Sequence, residues 1–335
     1  MKLVSRILGI MILVGLILAV IGFFMGLDAS NLSAFFNDSE AYGDMITETH
    51  EEVITTLEVD VDTRSIVISY VDEAVLTVTY YKHETRDTWT IDGSNAGIFR
   101  IEQDERPQFF NYKFVPEALR TVHIYIPNTW VIDMLIETAT GQVRLENEAE
   151  IEVRSLELIS HTGSIYMKNL LATTISAHTD TGSVMLTNAG VENVISLSSN
   201  TGSVHLTNVV GGPISIDTDT GSAYLTDVRG EGLIIDVDTG KIQILRALFA
   251  GNVMLESKTG SVNLTQVQAA SFDIKSATGD VRITFEELSN YRYDLKTSTG
   301  KIRVDGVNQG NRHTTTTGDI LVKISVDTGD ITISK

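Results

Sequence analysis

The side chains best placed to do chemistry in this sequence are carboxylates at one fixed place in a repeated figure. Asp180, Asn200, Asp219 and Asp238 each stand just before a Thr-Gly pair, and if the repeats stack, their oxygens line one edge ~4.8 Å apart. Oxygen ligands so spaced suit Ca²⁺, and Asp217 and Asp236 add charge nearby. Asp180, Asp219 and Asp238 are therefore the candidate metal ligands. A solvated acidic face gives the same pattern without a metal, with Lys258 relieving the repulsion one repeat on. The glycine-rich nonapeptide period of calcium-binding β-rolls is absent.

Other chemistries find less support. His161, His178 and His205 fall in different columns of the repeat, which argues against a zinc site. Ser164, Ser183, Ser203, Ser222 and Ser261 follow the repeated glycine; with no His-Asp pair positioned beside them they read as corner hydroxyls rather than nucleophiles. The alternative function is a carbohydrate-active enzyme of lyase or hydrolase type, which would need paired carboxylates in a groove. Here the acids repeat evenly, and no single repeat gathers Asp, Arg and aromatic residues. The sequence thus points to no catalytic residues and no cofactor. With 0 cysteines, disulfides, thiolate metal sites and a Cys nucleophile are excluded. A net charge of −19 argues against nucleic acid, whose backbone calls for Lys and Arg.

The elements that position these residues announce themselves by period. Thr-Gly recurs at glycines Gly141, Gly163, Gly182, Gly202, Gly221, Gly240, Gly260, Gly279, Gly300, Gly318 and Gly329, mostly 19 or 20 residues apart, with a last step of 11. A fixed period of this size marks a repeat architecture. Two residues after each glycine the side chain is apolar (Val143, Ile165, Val184 and onward), and apolar residues also stand four before each Thr, His313 being the exception. Both runs have the period of strands. Counted from Thr, however, the upstream inward set is even and the downstream set odd, so the chain must turn at Thr-Gly-x. Glycine suits such a corner because it takes positive φ without steric cost. The recurring Thr, and the Ser or Thr two before it, should form hydroxyl ladders inside the corner.

A lone coil buries about four apolar side chains worth ~1.5–3 kcal/mol each, against ~1–2 kcal/mol per residue of backbone ordering. Coils must therefore share strands and core with neighbours. The expected fold is all-β: a single-stranded parallel β-helix, or β-solenoid, over 131–335. About ten coils of 19–20 residues would make a rod of roughly 50 Å. The competing reading makes each Thr-Gly an ordinary hairpin turn in a meander or propeller.

Ahead of the solenoid three further segments are expected. Residues 7–27 carry no charge and would span ~31 Å as a helix. Lys2 and Arg6 before them favour an N-terminus in the cytoplasm and the remainder outside. This predicts a single-pass signal anchor contacting membrane lipid through 7–27, with 1–27 forming stub and anchor. Residues 28–63 hold acids and no Lys or Arg, which suggests a solvated stalk. Residues 64–130 keep strand patterning without the Thr-Gly period and read as an irregular β cap over the open end. At the other end, the short final step suggests a terminal closing strand lacking the return limb of its coil.

The recurring S/T-x-T-G-[SDK]-Φ-x-Φ, as in SAHTDTGSVML and IDTDTGSAYL, together with the entry VHIYIPNTWVIDMLIETATGQVRL, resembles the bacterial β-strand-repeat "putative adhesin" family. Its relatives include LiaG-type membrane proteins of envelope-stress operons in Gram-positive bacteria. The similarity covers roughly 53–335. It implies a surface-exposed β-helical protein with an unidentified cell-envelope or surface ligand and no catalytic residues. The expected function is a non-enzymatic adhesin-like binding or scaffold module displayed on the cell membrane.

Overall fold

Alternation of period two carries the core, and two interruptions of that period give each coil its shape. In the strand Gly232–Thr239, Leu233, Ile235 and Val237 point inward and are buried; after the corner, Ile242 and Ile244 do so, then Ala247 and Phe249. The first change of parity falls at Gly240. The second falls at Arg246, which adopts a left-handed conformation with φ 53°. Each coil from the one with Asn169 to the one with Gln266 therefore has three sides: one before the glycine, one between the glycine and the left-handed residue, and a short third side. The computed structural model describes residues 38–106 and 115–335; the expected membrane anchor at 7–27 lies outside the described residues. Among the described residues no helix is long and apolar enough to cross a membrane.

Successive coils pair in parallel and in register. The inward column Ile195, Ile214, Leu233, Val253 and Phe272 runs through consecutive rungs, so the apolar residues form one continuous core. This is the solenoid that the repeat predicts, and Thr-Gly marks corners rather than hairpin turns.

The corner explains why glycine recurs. A Cβ on Gly202, whose φ is 146°, would lie 1.8 Å from the carbonyl oxygen of Gly182 in the rung beneath. That carbonyl also accepts the hydroxyl of Ser199 at 2.8 Å, as Gly163 O accepts Thr179 Oγ1 at 2.8 Å and Gly141 O accepts Ser160 Oγ at 2.9 Å. The buried hydroxyls thus satisfy the stacked glycine carbonyls. Midway along the rod this lapses: Val237 takes the position, and Ser257 Oγ is buried without a partner; in the outermost C-terminal coil it returns, Thr297 Oγ1 donating to Gly329 O at 2.9 Å.

The second corner was not anticipated. Asn169, Asn188, Asn208, Asp227, Arg246 and Gln266 all have φ between 52° and 57°, a region that Asn and Asp tolerate better than most residues. Their side chains link the rungs: Asn188 Nδ2 donates to Asn169 Oδ1 and Asn208 Nδ2 to Asn188 Oδ1, each at 2.9 Å, while Arg246 Nε pairs with Asp227 Oδ1 at 2.7 Å.

Both ends depart from the order of the sequence. At the C-terminal end Ile320–Thr328 pairs on one side with Ser271–Thr278 and on the other with Tyr291–Thr299. The last coil is therefore inserted one rung inside, and the coil of 291–304 is outermost. The expectation of a terminal closing strand is corrected: residues 320–334 supply two full sides and lack only the third. Their inward residues Val322, Ile324, Val326, Ile331 and Ile333 are all buried, which requires neighbours on both sides. Gly318 is likewise no member of the corner column, since its Cβ would meet the backbone of Tyr291 and Arg292, whereas Gly329 stacks on Gly279 and Gly300 on Gly329. His313 breaks the apolar pattern because Arg312–Thr314 runs antiparallel to the outermost coil, as does Val307–Gly310. These strands cover the exposed edge.

The N-terminal end repeats the device. Thr56–Val61 lies between Ile98–Glu105 and Asp133–Thr140, and Ser65–Val71 between Thr121–Pro127 and the strand that begins at Val143. Residues 46–61, assigned to a stalk by their acids, are in strands for the most part, because Leu57, Val59 and Val61 alternate inward beneath that charge. The corner of this coil reads Asp62-Thr63-Arg64-Ser65, a Thr-Gly figure with Arg in place of Gly. Arg64 O accepts Thr138 Oγ1 at 2.9 Å as a corner glycine would. The outermost rung supplies Ile98–Glu105 before this corner and Thr121–Pro127 after it. The buried guanidinium pairs with Asp87 and stands 3.5 Å from Glu105.

Two outcomes follow for stability. Gly202→Ala should lower it by well over ~1 kcal/mol, while Gly43→Ala, whose Cβ meets nothing within 4 Å, should stay within ~0.5 kcal/mol of the parent; urea midpoints measure both. Arg64→Ala, which strands the buried carboxylate of Asp87, should cost ~3–5 kcal/mol, read as a lowered thermal midpoint.

Candidate functional site

With the backbone N–H and C=O groups spent between rungs, functional groups can only come from side chains on the three outer sides. The first side, before the glycine, carries the acids. Asp180 does not stand open for a cation: His161 Nδ1 lies 2.7 Å from its Oδ2, while His178 Nε2 at 3.1 Å and Asn200 Nδ2 at 2.8 Å reach its Oδ1. Asp238 is ion-paired with Lys258. Asp219 lies in the same column, between Asn200 and Asp238, and its charge helps to raise the pKa of Lys258. Among the described residues no three His, Asp or Glu side chains converge as the ligands of a metal would. Beside that column Asp236 has an Oδ1 without a partner; its carboxyl is pushed up by desolvation and by Glu256, Asp217 and Asp238.

Both histidines reach Asp180 although they occupy different columns. His161 Nε2 also approaches Glu137 Oε1 at 3.3 Å, and His178 Nδ1 meets Ser198 Oγ at 2.8 Å. Ser198, His178 and Asp180 therefore form a serine-histidine-carboxylate line that sequence reasoning missed. The signal was a His three residues before Gly-minus-one in one coil and a Ser at the same place in the next, paired as His178↔Ser198. The strand N–H groups beside the line are committed to the ladder and so do not offer themselves to an oxyanion.

On the second side Ser164, Ser183, Ser203 and Ser222 accept N–H bonds from the next rung at 2.9–3.3 Å, and Ser261 accepts the side-chain amide of Asn263 at 3.2 Å. Beside that row the guanidinium of Arg144 lies 4.8 Å from the ring centre of Tyr166, and His205 stacks on Tyr224 at 4.8 Å. Burial holds His205 below the usual imidazole range.

The short third side is concave. Adjoining hollows of about 360, 650 and 450 Å³ run along it, the first and second sharing Val210 and the second and third sharing Leu248, Gln266, Gln268 and Glu286. Its floor is one in-register column: Leu171, Gly190, Val210, Arg229, Leu248, Gln268.

A three-sided solenoid with such corners defines a class of repetitive β proteins, and the chain belongs to the Toastrack DUF4097 family, which it matches over residues 54–227 and 215–335. The family resemblance read from the repeat is thereby borne out. No curated protein matches. Among solved structures, one described as a "putative adhesin" from Bacteroides fragilis is 10% identical, covering 87% of this chain and 97% of that one with a TM-score of 0.40. A "putative lipid binding protein" from Parabacteroides distasonis is 11% identical over 88% and 98%, with a TM-score of 0.44. A "putative cell adhesion protein" from Clostridium sporogenes is 10% identical over 87% and 99%, with a TM-score of 0.20. These likenesses are too distant to transfer a ligand.

The His161 cluster makes a pH prediction. Asp180, and more weakly Glu137, raise the His161 pKa above its ordinary value. Protonated His161 therefore stabilises the folded chain fully below about pH 6.5, and the contribution disappears as pH rises through the elevated folded value. The side chain is 50% exposed, so solvent screening keeps the effect under ~1 kcal/mol. The gain in thermal midpoint on going from pH 8.5 to 5.5 should be smaller in His161→Gln than in the parent.

Proposed function

We propose that the chain is a membrane-anchored, extracytoplasmic binding or scaffold module of adhesin-like, non-enzymatic type. In this reading residues 7–27 sit in the lipid, Lys2 and Arg6 stay in the cytoplasm, and the rod works at the cell envelope in the stress setting that the LiaG resemblance implies. One observation carries the reading. Antiparallel strands flank the outermost coil at each end, so the surface left to a partner is lateral, long and repetitive. Such a surface suits adhesion to an extended polymer better than turnover of a small substrate. The carboxylate of Asp38 contacts His83 in the N-terminal cap, which supports anchoring at one end and display along the sides.

The alternative, a carbohydrate-active enzyme on the same scaffold, has the Ser198-His178-Asp180 line in its favour. Incubating the full-length chain with cell-wall and polysaccharide fractions separates the two. Retention without soluble product is expected. Product release that stops in Ser198→Ala would replace the binding reading with the enzymatic one.

A further inference from the structure

The third side carries an order finer than the repeat itself. Along its floor the apolar side chains Leu171, Val210 and Leu248 are 40%, 53% and 47% exposed, and they occupy alternate rungs. Between them stand Gly190 and Arg229, and Gln268 follows Leu248. Rungs are ~4.8 Å apart, so like surfaces recur every ~9.6 Å. Solvent exposure of single apolar residues is ordinary; a column of them at every second rung of a trough sets a period that an occupant must share.

That period discriminates among polymers. An extended peptide presents the same face every ~6.8 Å and falls out of step within two contacts. A helix repeats its turn every ~5.4 Å and would meet apolar and polar rungs alike. An acyl chain has no period and would be opposed by Arg229 in mid-trough. A β-1,4-linked glycan turns over at each sugar, so like ring faces recur at every second sugar, with a rise close to two rungs. Its intervening hydroxyl edges would meet Arg229, which holds no ion pair among the described residues, and the amide of Gln268. Charge narrows the choice further: Glu152 and Glu192 line one end of the trough and Glu286 the other, which disfavours acidic sugars.

Resting on the binding reading above, we infer that the third side is a binding trough for a neutral, extended β-1,4-linked glycan, with Leu171, Val210 and Leu248 beneath alternate sugars and Arg229 bonding a sugar hydroxyl between them. The probes are cellohexaose and chitohexaose with their shorter homologues, titrated calorimetrically into the full-length chain. At least one hexasaccharide should bind, with affinity rising by disaccharide steps rather than evenly per sugar. The double variant Val210→Glu/Leu248→Glu should weaken it at least tenfold while keeping the parent's thermal midpoint, since both side chains are already exposed. A matched double variant on the first side, Ile234→Glu/Met254→Glu, should bind within twofold of the parent. Unbound hexasaccharides, equal weakening by both double variants, or binding of palmitate in their place would overturn the trough assignment. If envelope fractions still retain the chain in that event, the general binding reading stands; if they do not, it falls as well.

Discussion

The fold turns on a carbonyl oxygen with no room beside it. Where one Thr-Gly corner stacks on the next, the space that a Cβ would take is already filled by the glycine carbonyl beneath, at 1.6 Å for Gly240 and 1.8 Å for Gly202. Close approach of this kind fixes the register of every rung, because a slip of one residue would bring a side chain into that contact. It also accounts for the buried hydroxyls: a carbonyl so enclosed is costly without a donor, and Ser160, Thr179 and Ser199 supply one. Where the donor fails, as at Val237, apolar packing takes over.

Arg64 shows the limit of the constraint and also of sequence reading. Glycine is demanded by the carbonyl that lies under a corner rather than by the corner itself, and the N-terminal corner instead accommodates Arg64, its buried guanidinium paired with Asp87. A search for Thr-Gly therefore misses this coil, although Asp62-Thr63-Arg64-Ser65 keeps the rest of the figure and Arg64 O still receives the Thr138 hydroxyl. Ten of the eleven glycines, the inward columns and the turn at Gly-x were legible because each is a local spacing, while Gly318 shares the motif without the corner. The left-handed column from Asn169 to Gln266, six residues after the corner glycine of each of these coils, escaped the sequence reading because Asp, Arg and Gln in three of them obscure its Asn signature. Acid content concealed the strand Thr56–Val61, whose period-two pattern was the better guide.

Which rung neighbours which is a different matter. Local period cannot say that 320–334 enters between 271–284 and 291–304, since every coil offers the same columns to any other. What decides it is completeness. The last coil buries an apolar residue at every inward position and so needs two neighbours, while the 291–304 coil is followed by residues that can fold back antiparallel over its edge. The candidate site divides in the same way. Asp180, Asp219 and Asp238 stand near the corner where the spacing put them, but their partners do not follow from the repeat. His161, His178 and Lys258 arise from single coils that depart from the consensus.

Insertion at both ends changes what kind of object the rod is. An ordinary solenoid is quasi-one-dimensional, each repeat meeting only its neighbours in sequence, and it can fray from either end. Here the terminal strands are pinned from both sides, by pairings such as Asp330 N–H to Asp280 Oδ1 at 2.9 Å on one side and Lys301 N–H to Asp330 Oδ1 at 2.8 Å on the other. Unravelling the C-terminus therefore means opening the stack from within, against parallel ladders on two faces. At the other end Thr56–Val61 is held in the same manner. A body locked at its ends and identical in build along its length places its variation in the outward columns alone. Those columns are free to change from rung to rung without touching the core, because each outward position lies between two inward ones. Selection for a ligand can therefore write a pattern such as Leu171, Val210 and Leu248 onto one side while the corner contacts hold the frame.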